Sequence, residues 1–152
     1  MKRSVIILAV TIALFARPAF ARIGETAEEC EARYGNKTGQ IGTHAFTFSK
    51  DHITITVLFE NDRSVREMFT PEFGEGISEQ QVVDLLSANS GGSSWKVQKE
   101  NVTQGWRKYE RADGAALATY EWQITLNGKA GKSLMIRSWK EAVPNKPSDT
   151  GF

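Results

Sequence analysis

Hydrophobic and polar positions along the chain change period several times, and each change marks an element. Over Gly76 to Asn89, Val82, Val83, Leu85 and Leu86 fall at helical spacing with Asn89 as a polar end, which predicts an amphipathic helix. Ser78 and Gln81 stand at the two positions of a capping box, Ile77 and Val82 at those of a hydrophobic staple, and Gly91-Gly92 stops the helix. Ile23 to Gly35 has a similar entrance: Thr26 as cap, Glu29 completing the box, acidic residues in the first turn and Gly35 as terminator. Ala27, Cys30 and Tyr34 share one face of this shorter helix.

From Ile41 the period becomes two. His44, Phe46 and Phe48 alternate with Thr43, Ala45 and Thr47; Ile53, Ile55, Val57 and Phe59 line one face of the next run; Ser64 to Thr70 forms a third and ends at Pro71. Turns fall at Ser49 to His52 and Asn61 to Arg63. After the main helix come Ser94 to Lys99, Gly105 to Arg111, a long run through Ala116, Ala118, Tyr120, Trp122, Ile124 and Leu126, and Ser133 to Trp139. Asp113-Gly114 and Asn127-Gly128 are hairpin turns. Tight turns make neighbouring strands antiparallel. The expected fold is therefore α+β: an antiparallel sheet of about seven strands with two helices on one face and the other face free. The helix entrances superpose at an offset of 52, Gly24 on Gly76, Thr26 on Ser78 and Cys30 on Val82, which implies a tandem of helix-plus-meander units over 22–71 and 72–141.

The amino terminus adds a destination. Lys2-Arg3, an apolar run from Val5 to Ala16 and Ala19-Phe20-Ala21 form a secretory signal peptide over 1–21, so the chain is expected in the periplasm or medium. Its removal takes Lys2, Arg3 and Arg17, leaving 131 residues with 16 basic and 18 acidic side chains. Such a length makes one domain, 22–141, and the proline-bearing 142–152 reads as a mobile tail. Charges of both signs are mixed along the chain without a basic stripe, which argues against nucleic acid. No later run approaches the ~20 apolar residues of a membrane span. Cys30 is the only cysteine, so no intrachain disulfide forms.

Helix then antiparallel meander, twice, in a small exported chain resembles the β-lactamase inhibitor protein family. The opening Gly24-x-Thr26-x-x-Glu29 through Tyr34-Gly35 is similar to the helix-starting motif of SmpA/OmlA-type envelope lipoproteins. The resemblance implies protein–protein binding, through a sheet face or in envelope assembly. The chain departs from these families in lacking disulfides, a lipid-attachment cysteine and a proline after Gly35, and no functional residue is carried across.

Candidate chemistry is sparse. Cys30 and His44 are the one nucleophile–base pairing, but Glu28, Glu29 and Glu31 beside the thiol raise its pKa, so Cys30 is expected in the core. His44, His52 and Asp51 lack zinc-site spacing, and neither a metal nor a cofactor is expected. Glu60, Glu67, Glu110 and Glu121 lie on strands among Arg63, Arg66, Arg107 and Arg111, and are expected on solvated faces as cross-strand ion pairs. Trp95, Trp106, Trp122 and Trp139 gather in the last third of the chain. Trp122 shares the apolar phase and is expected inside. Trp106 beside Arg107, and Trp139 near Arg137, have the composition of an interface. The expected function is a non-enzymatic protein-binding module that uses the free sheet face or this Trp-bearing edge, with another exported or envelope protein as partner. The alternatives are a small ligand or carbohydrate bound in the curve of the sheet and, third, a hydrolase built on strand carboxylates.

Overall fold

A computed structural model describes residues 22–72, 76–126 and 129–138, with side chains for all but 123–126 and 129–130. Each half contributes one helix and a four-strand meander. The first holds α1 (Ala27–Tyr34), β1 (Gly39–Ile41), β2 (Ala45–Lys50), β3 (Ile53–Glu60) and β4 (Arg63–Pro71). The second holds α2 (Glu79–Ala88), β5 (Trp95–Asn101), β6 (Trp106–Arg111), β7 (Ala116–Leu126) and β8 (Lys129–Ser138). All eight strands form one antiparallel sheet in the order β1-β2-β3-β4-β8-β7-β6-β5, so the last strands of the two meanders meet at its centre.

The local reasons are those expected from sequence. Thr26 and Ser78 each accept from the backbone N–H three residues on, and Glu29 and Gln81 each reach back to the cap. Gly24 and Gly76 take positive φ (98° and 108°) just ahead of the caps, where a side chain would be strained. Asp51-His52 and Asn61-Asp62 take positive φ at both residues, as tight hairpins require.

Both helices lie on the same face of the sheet. Cys30 and Tyr34 of α1 and Val82 and Leu86 of α2 pack with Phe48, Ile55, Val57, Phe69, Tyr120, Leu134 and Ile136 in one buried cluster, with Leu85 and Trp122 against it. Tyr120 also donates from its hydroxyl to the Ile77 carbonyl at 2.9 Å, fixing the entrance of α2 to β7.

The expected antiparallel sheet of about seven strands is found, with eight among the described residues: Gly39–Ile41 pairs with Ala45 to Thr47 although all three of its residues are exposed and show no alternation. Three expectations are corrected. The second strand begins at Ala45, leaving His44 exposed in the turn before it. Val83 is 57 % exposed and does not belong to the buried stripe of α2. Glu67 is not on a solvated face but fully buried. The leader 1–21, the tail 142–152 and Trp139 lie outside the described residues.

Candidate functional site

Strand register turns the helix-free face into ordered rows. One row runs Ala45, Leu58, Arg66, Arg137, Leu117, Glu110, Lys96 across β2, β3, β4, β8, β7, β6 and β5. The next runs Thr47, Thr56, Met68, Met135, Thr119, Lys108, Lys99. Two arginines thus stand directly opposite each other at the centre of the sheet, each with a leucine on its outer side and a methionine two residues along its own strand. None of the described residues forms a second layer over this face.

Trp106 belongs to the same face, opposite Glu121. Its indole N–H donates to Gln104 at 3.1 Å, and the ammonium groups of Lys108 and Lys99 lie 5.2 and 6.0 Å from the ring centroid. A tryptophan face between two cations is a cation–π arrangement. Arg137 shares the face but stands four residues along β8 from Ser133, which pairs with Glu121, so it is roughly 13 Å farther along the strand direction.

Arg107 points the other way. Its guanidinium donates to Glu100 (2.6 and 2.9 Å), to Glu79 at the start of α2 (3.0 Å) and to the Tyr109 hydroxyl (3.2 Å), and it lies 5.7 Å from the Trp122 ring. It is a clamp between α2 and the β5–β6 hairpin. Of the expected site residues, Trp106 and Arg137 share the free face, Arg107 lies behind it, and Trp139 is outside the described residues. The expected cross-strand ion pairs are realised only in part. Arg107 bonds its register neighbour Glu100, but Arg63 reaches Glu29 of α1, Arg111 reaches Asp113, and Glu110 accepts from Gln98.

The constellation missed from sequence is internal. Glu67 is fully buried opposite Val57 and Ile136, beneath Cys30 and Tyr34. Neither carboxylate oxygen has a partner in good hydrogen-bond geometry, and the same is true of the Tyr34 hydroxyl. Burial pushes its pKa up to about 8, with the like charge of Glu25 adding; Arg33, the Asn89 amide and the Tyr34 hydroxyl oppose the rise. At neutral pH it is a carboxylic acid. The Cys30 thiol is pushed up to about 12, first by burial, then by Glu67 and Glu25, which leaves it unreactive. Glu67 has the apolar phase of its strand, two residues before Phe69, and that spacing was the signal for an inward side chain.

Cavities among the described residues open on the helix side. One of about 540 Å³ lies between α2 and β5, lined by Val83, Leu86, Ser87, Trp95, Val97 and Tyr109. Another of about 680 Å³, with Glu28, His44, Phe46, Phe59 and Asp62 in its wall, sits at the entrance of α1. Among the described residues no three His, Cys, Asp or Glu side chains are grouped to hold a metal ion, and no helix is long and apolar enough to cross a membrane.

Fold and surface together define a class: an α+β domain of two helix-plus-meander halves, layered on one side and open on the other. Comparison with known protein families, with curated proteins and with solved structures found no match for the chain.

Proposed function

We propose that this is an exported, non-enzymatic domain that binds another exported or envelope protein through the helix-free face of its sheet. The observation that carries the reading is the continuous row of Leu58, Arg66, Arg137 and Leu117 beside Met68 and Met135, the mix of arginine, methionine and apolar side chains in which interface cores are rich. Trp106 adds a large aromatic anchor at one side. Export rests on the leader pattern of residues 1–21, and amino-terminal sequencing of the mature protein is expected to begin at Arg22.

Capture from the envelope fraction or culture medium tests the binding. Replacing Met68, Met135 and Trp106 together by serine is expected to abolish recovery of the partner, while Val83→Ser on the helix side leaves it intact. Equal recovery by both variants counts against the reading.

The cavity between α2 and β5 favours a second reading, binding of a small neutral ligand or carbohydrate. The Trp95 and Tyr109 rings offer stacking surface there and Ser87 a hydroxyl. A ligand at 100 times its dissociation constant adds about 2.7 kcal/mol of stability, enough to read in a thermal-shift screen of sugars. The carboxylate hydrolase is the least supported, because the one strand carboxylate with a strongly raised pKa, Glu67, is sealed from solvent.

A further inference from the structure

The sheet has two outer strands, and β5 is the longer of them. Two hydrogen bonds fix which of its backbone groups face outward. The Ala112 N–H donates to the Ser94 carbonyl at 2.8 Å, and on the other flank of β6 the Trp122 N–H donates to the Gly105 carbonyl at 2.8 Å. Bonded and non-bonded pairs alternate along an antiparallel ladder, so β6 turns the backbone of Arg107 and Tyr109 toward β7 and that of Lys108 and Glu110 toward β5. Lys96, opposite Glu110, is then in the bonded phase, and Trp95 and Val97 present their N–H and C=O groups to the open edge. The side chains of the same two residues face α2. With Tyr109 they lie across the cavity of about 540 Å³ from Val83 and Leu86. Val83 and Val97 are 57 % and 56 % exposed, apolar side chains without cover on its two walls. Among the described residues no charged side chain lines this cavity. On the same side Arg111 is tied to Asp113, Arg107 to Glu79 and Glu100, and Asp84 of α2 accepts from Gln80. Open backbone groups and an apolar cavity therefore meet at one short stretch of β5.

We infer that β5 takes a ninth, antiparallel strand from a partner protein, an extended segment with large apolar residues at two alternate positions and a carboxylate between them. This goes beyond the free-face reading and does not rest on it. The two apolar residues pair with Trp95 and Val97 through the backbone. Cross-strand neighbours share a face, so their side chains stand beside Trp95 and Val97 and reach toward Val83. The residue between them points to the opposite face beside Lys96, which has Glu110 on its inner side and the open edge on its outer side, a place that suits a carboxylate. The register shift at Gln98, between Val97 and Lys99, ends the regular ladder, so the recognised segment is short. A second copy of the chain fits poorly, because an antiparallel copy of β5 over Trp95 to Val97 sets Lys96 against its own counterpart. A sugar would fill the cavity but leave the row of backbone groups at the edge unused.

The test uses the mature chain and a capped heptapeptide with leucine and phenylalanine two residues apart and glutamate between them. On binding, exchange of the Trp95 and Val97 amides with solvent is expected to slow roughly tenfold or more, since they pass from an open edge into a ladder, while the Lys96 amide changes little. Methylating the peptide's backbone nitrogens at leucine and phenylalanine is expected to abolish binding. Methylating that of glutamate, which faces away from β5, is expected to leave it intact. Val83→Ser, which leaves free-face capture intact, is expected to weaken the peptide roughly tenfold, so the two readings fail separately. Equal loss from either methylation overturns the inference, and so does the absence of protection at Trp95 and Val97 with millimolar peptide. Resonance shifts at Val83 and Tyr109 with cellobiose and none with the peptide would give the cavity to a sugar and overturn it as well. Protection of Trp95 and Val97 without peptide overturns a separate partner: it marks a second copy where it rises with protein concentration, and the chain's own tail where it vanishes on removal of 142–152.

Discussion

Cys30, Tyr34 and Glu67 occupy in the first half of the molecule the kind of interior that Val82, Leu86 and Ile136 occupy in the second. The two halves enter their helices alike, through a left-handed glycine and a capping box, and each entrance is hydrogen-bonded to the last strand of its own meander: Gly24 N–H to Ser64, Ile77 N–H to Lys132. Beneath the helices they differ. Among the described residues the second half buries polar Asn89 and Ser133 but no charged side chain, whereas the first keeps a carboxyl group inside, with Glu25 and Arg33 paired nearby. Asn89, the C-cap of α2, links the two by accepting from the Ile23 N–H at 3.0 Å while donating to its own helix at Leu85. Shared local grammar thus sets the backbone plan, and the interior side chains decide how each half responds to its surroundings.

The largest expected effect comes from ionising that interior. The Glu67 carboxyl has an ordinary pKa of 4.5 and is pushed up to about 8 by burial. Below pH 4.5 it is protonated whether the chain is folded or not. Between these values the unfolded chain has lost the proton and the folded one keeps it. Folding then binds protons, and stability falls as pH rises. The contribution is fully present below pH 4.5 and lost by the time pH passes about 8. At about 1.4 kcal/mol per pKa unit the total is at most about 5 kcal/mol. Urea midpoints at pH 5 and pH 9 measure it. Glu67→Gln keeps the shape without the charge and is expected to flatten the profile, standing several kcal/mol above the parent at pH 9. Parallel profiles for parent and variant would show that the first half's interior does not carry the pH dependence.

The two entrance glycines sharpen the comparison. A Cβ on Gly76 would lie 2.5 Å from the Lys132 backbone nitrogen and 2.9 Å from its Cα, while one on Gly24 would meet nothing within 4 Å. Both positions have positive φ, so each alanine variant carries backbone strain of about 1–3 kcal/mol. Gly76→Ala adds a collision with backbone that cannot swing aside, and is expected to lose at least about 1 kcal/mol more than Gly24→Ala. Equal losses in chemical denaturation would mean that α2 can lift from β8 at little cost.

How much of this could be read beforehand varies with distance along the chain. Helix entrances, the hairpin turns at Asp51-His52, Asn61-Asp62 and Asp113-Gly114, and the in-phase aromatic Trp122 rest on neighbours within a few residues and are found where expected, while Asn127-Gly128 lies outside the described residues. The pairing of β4 with β8 joins residues about 70 positions apart. No local pattern announces it, so the Arg66–Arg137 juxtaposition was invisible. Glu67 was hidden differently. Its strand bulges where the register passes from Leu58–Arg66 to Phe59–Ser64, which turns Ser64 and Glu67 both inward although they are three residues apart. Charge argued for the surface, while the spacing to Phe69 argued for the core. Arg107 adjoins Trp106 in sequence yet lies on the helix side, because neighbours on a strand face opposite ways.

The remaining effects are smaller and run in the second half's favour. Arg107 ties α2 to the β5–β6 hairpin through Glu79, Glu100 and Tyr109. Hydrogen-exchange protection of β5 is expected to drop in Arg107→Ala, with a loss of about 1–2 kcal/mol for this half-exposed group. Least of all, Thr26→Ala and Ser78→Ala each remove one capping oxygen and are expected to cost about 1 kcal/mol. Because the two boxes have the same geometry, with cap oxygens 3.2 Å from the N–H in both, the two losses should agree. Agreement in thermal denaturation at pH 5, where Glu67 is protonated in the folded chain, isolates the shared entrance from the unlike interiors. A Thr26→Ala loss that grows relative to Ser78→Ala between pH 5 and pH 9 would instead show that the entrance of α1 is already loosened by the charge beneath it.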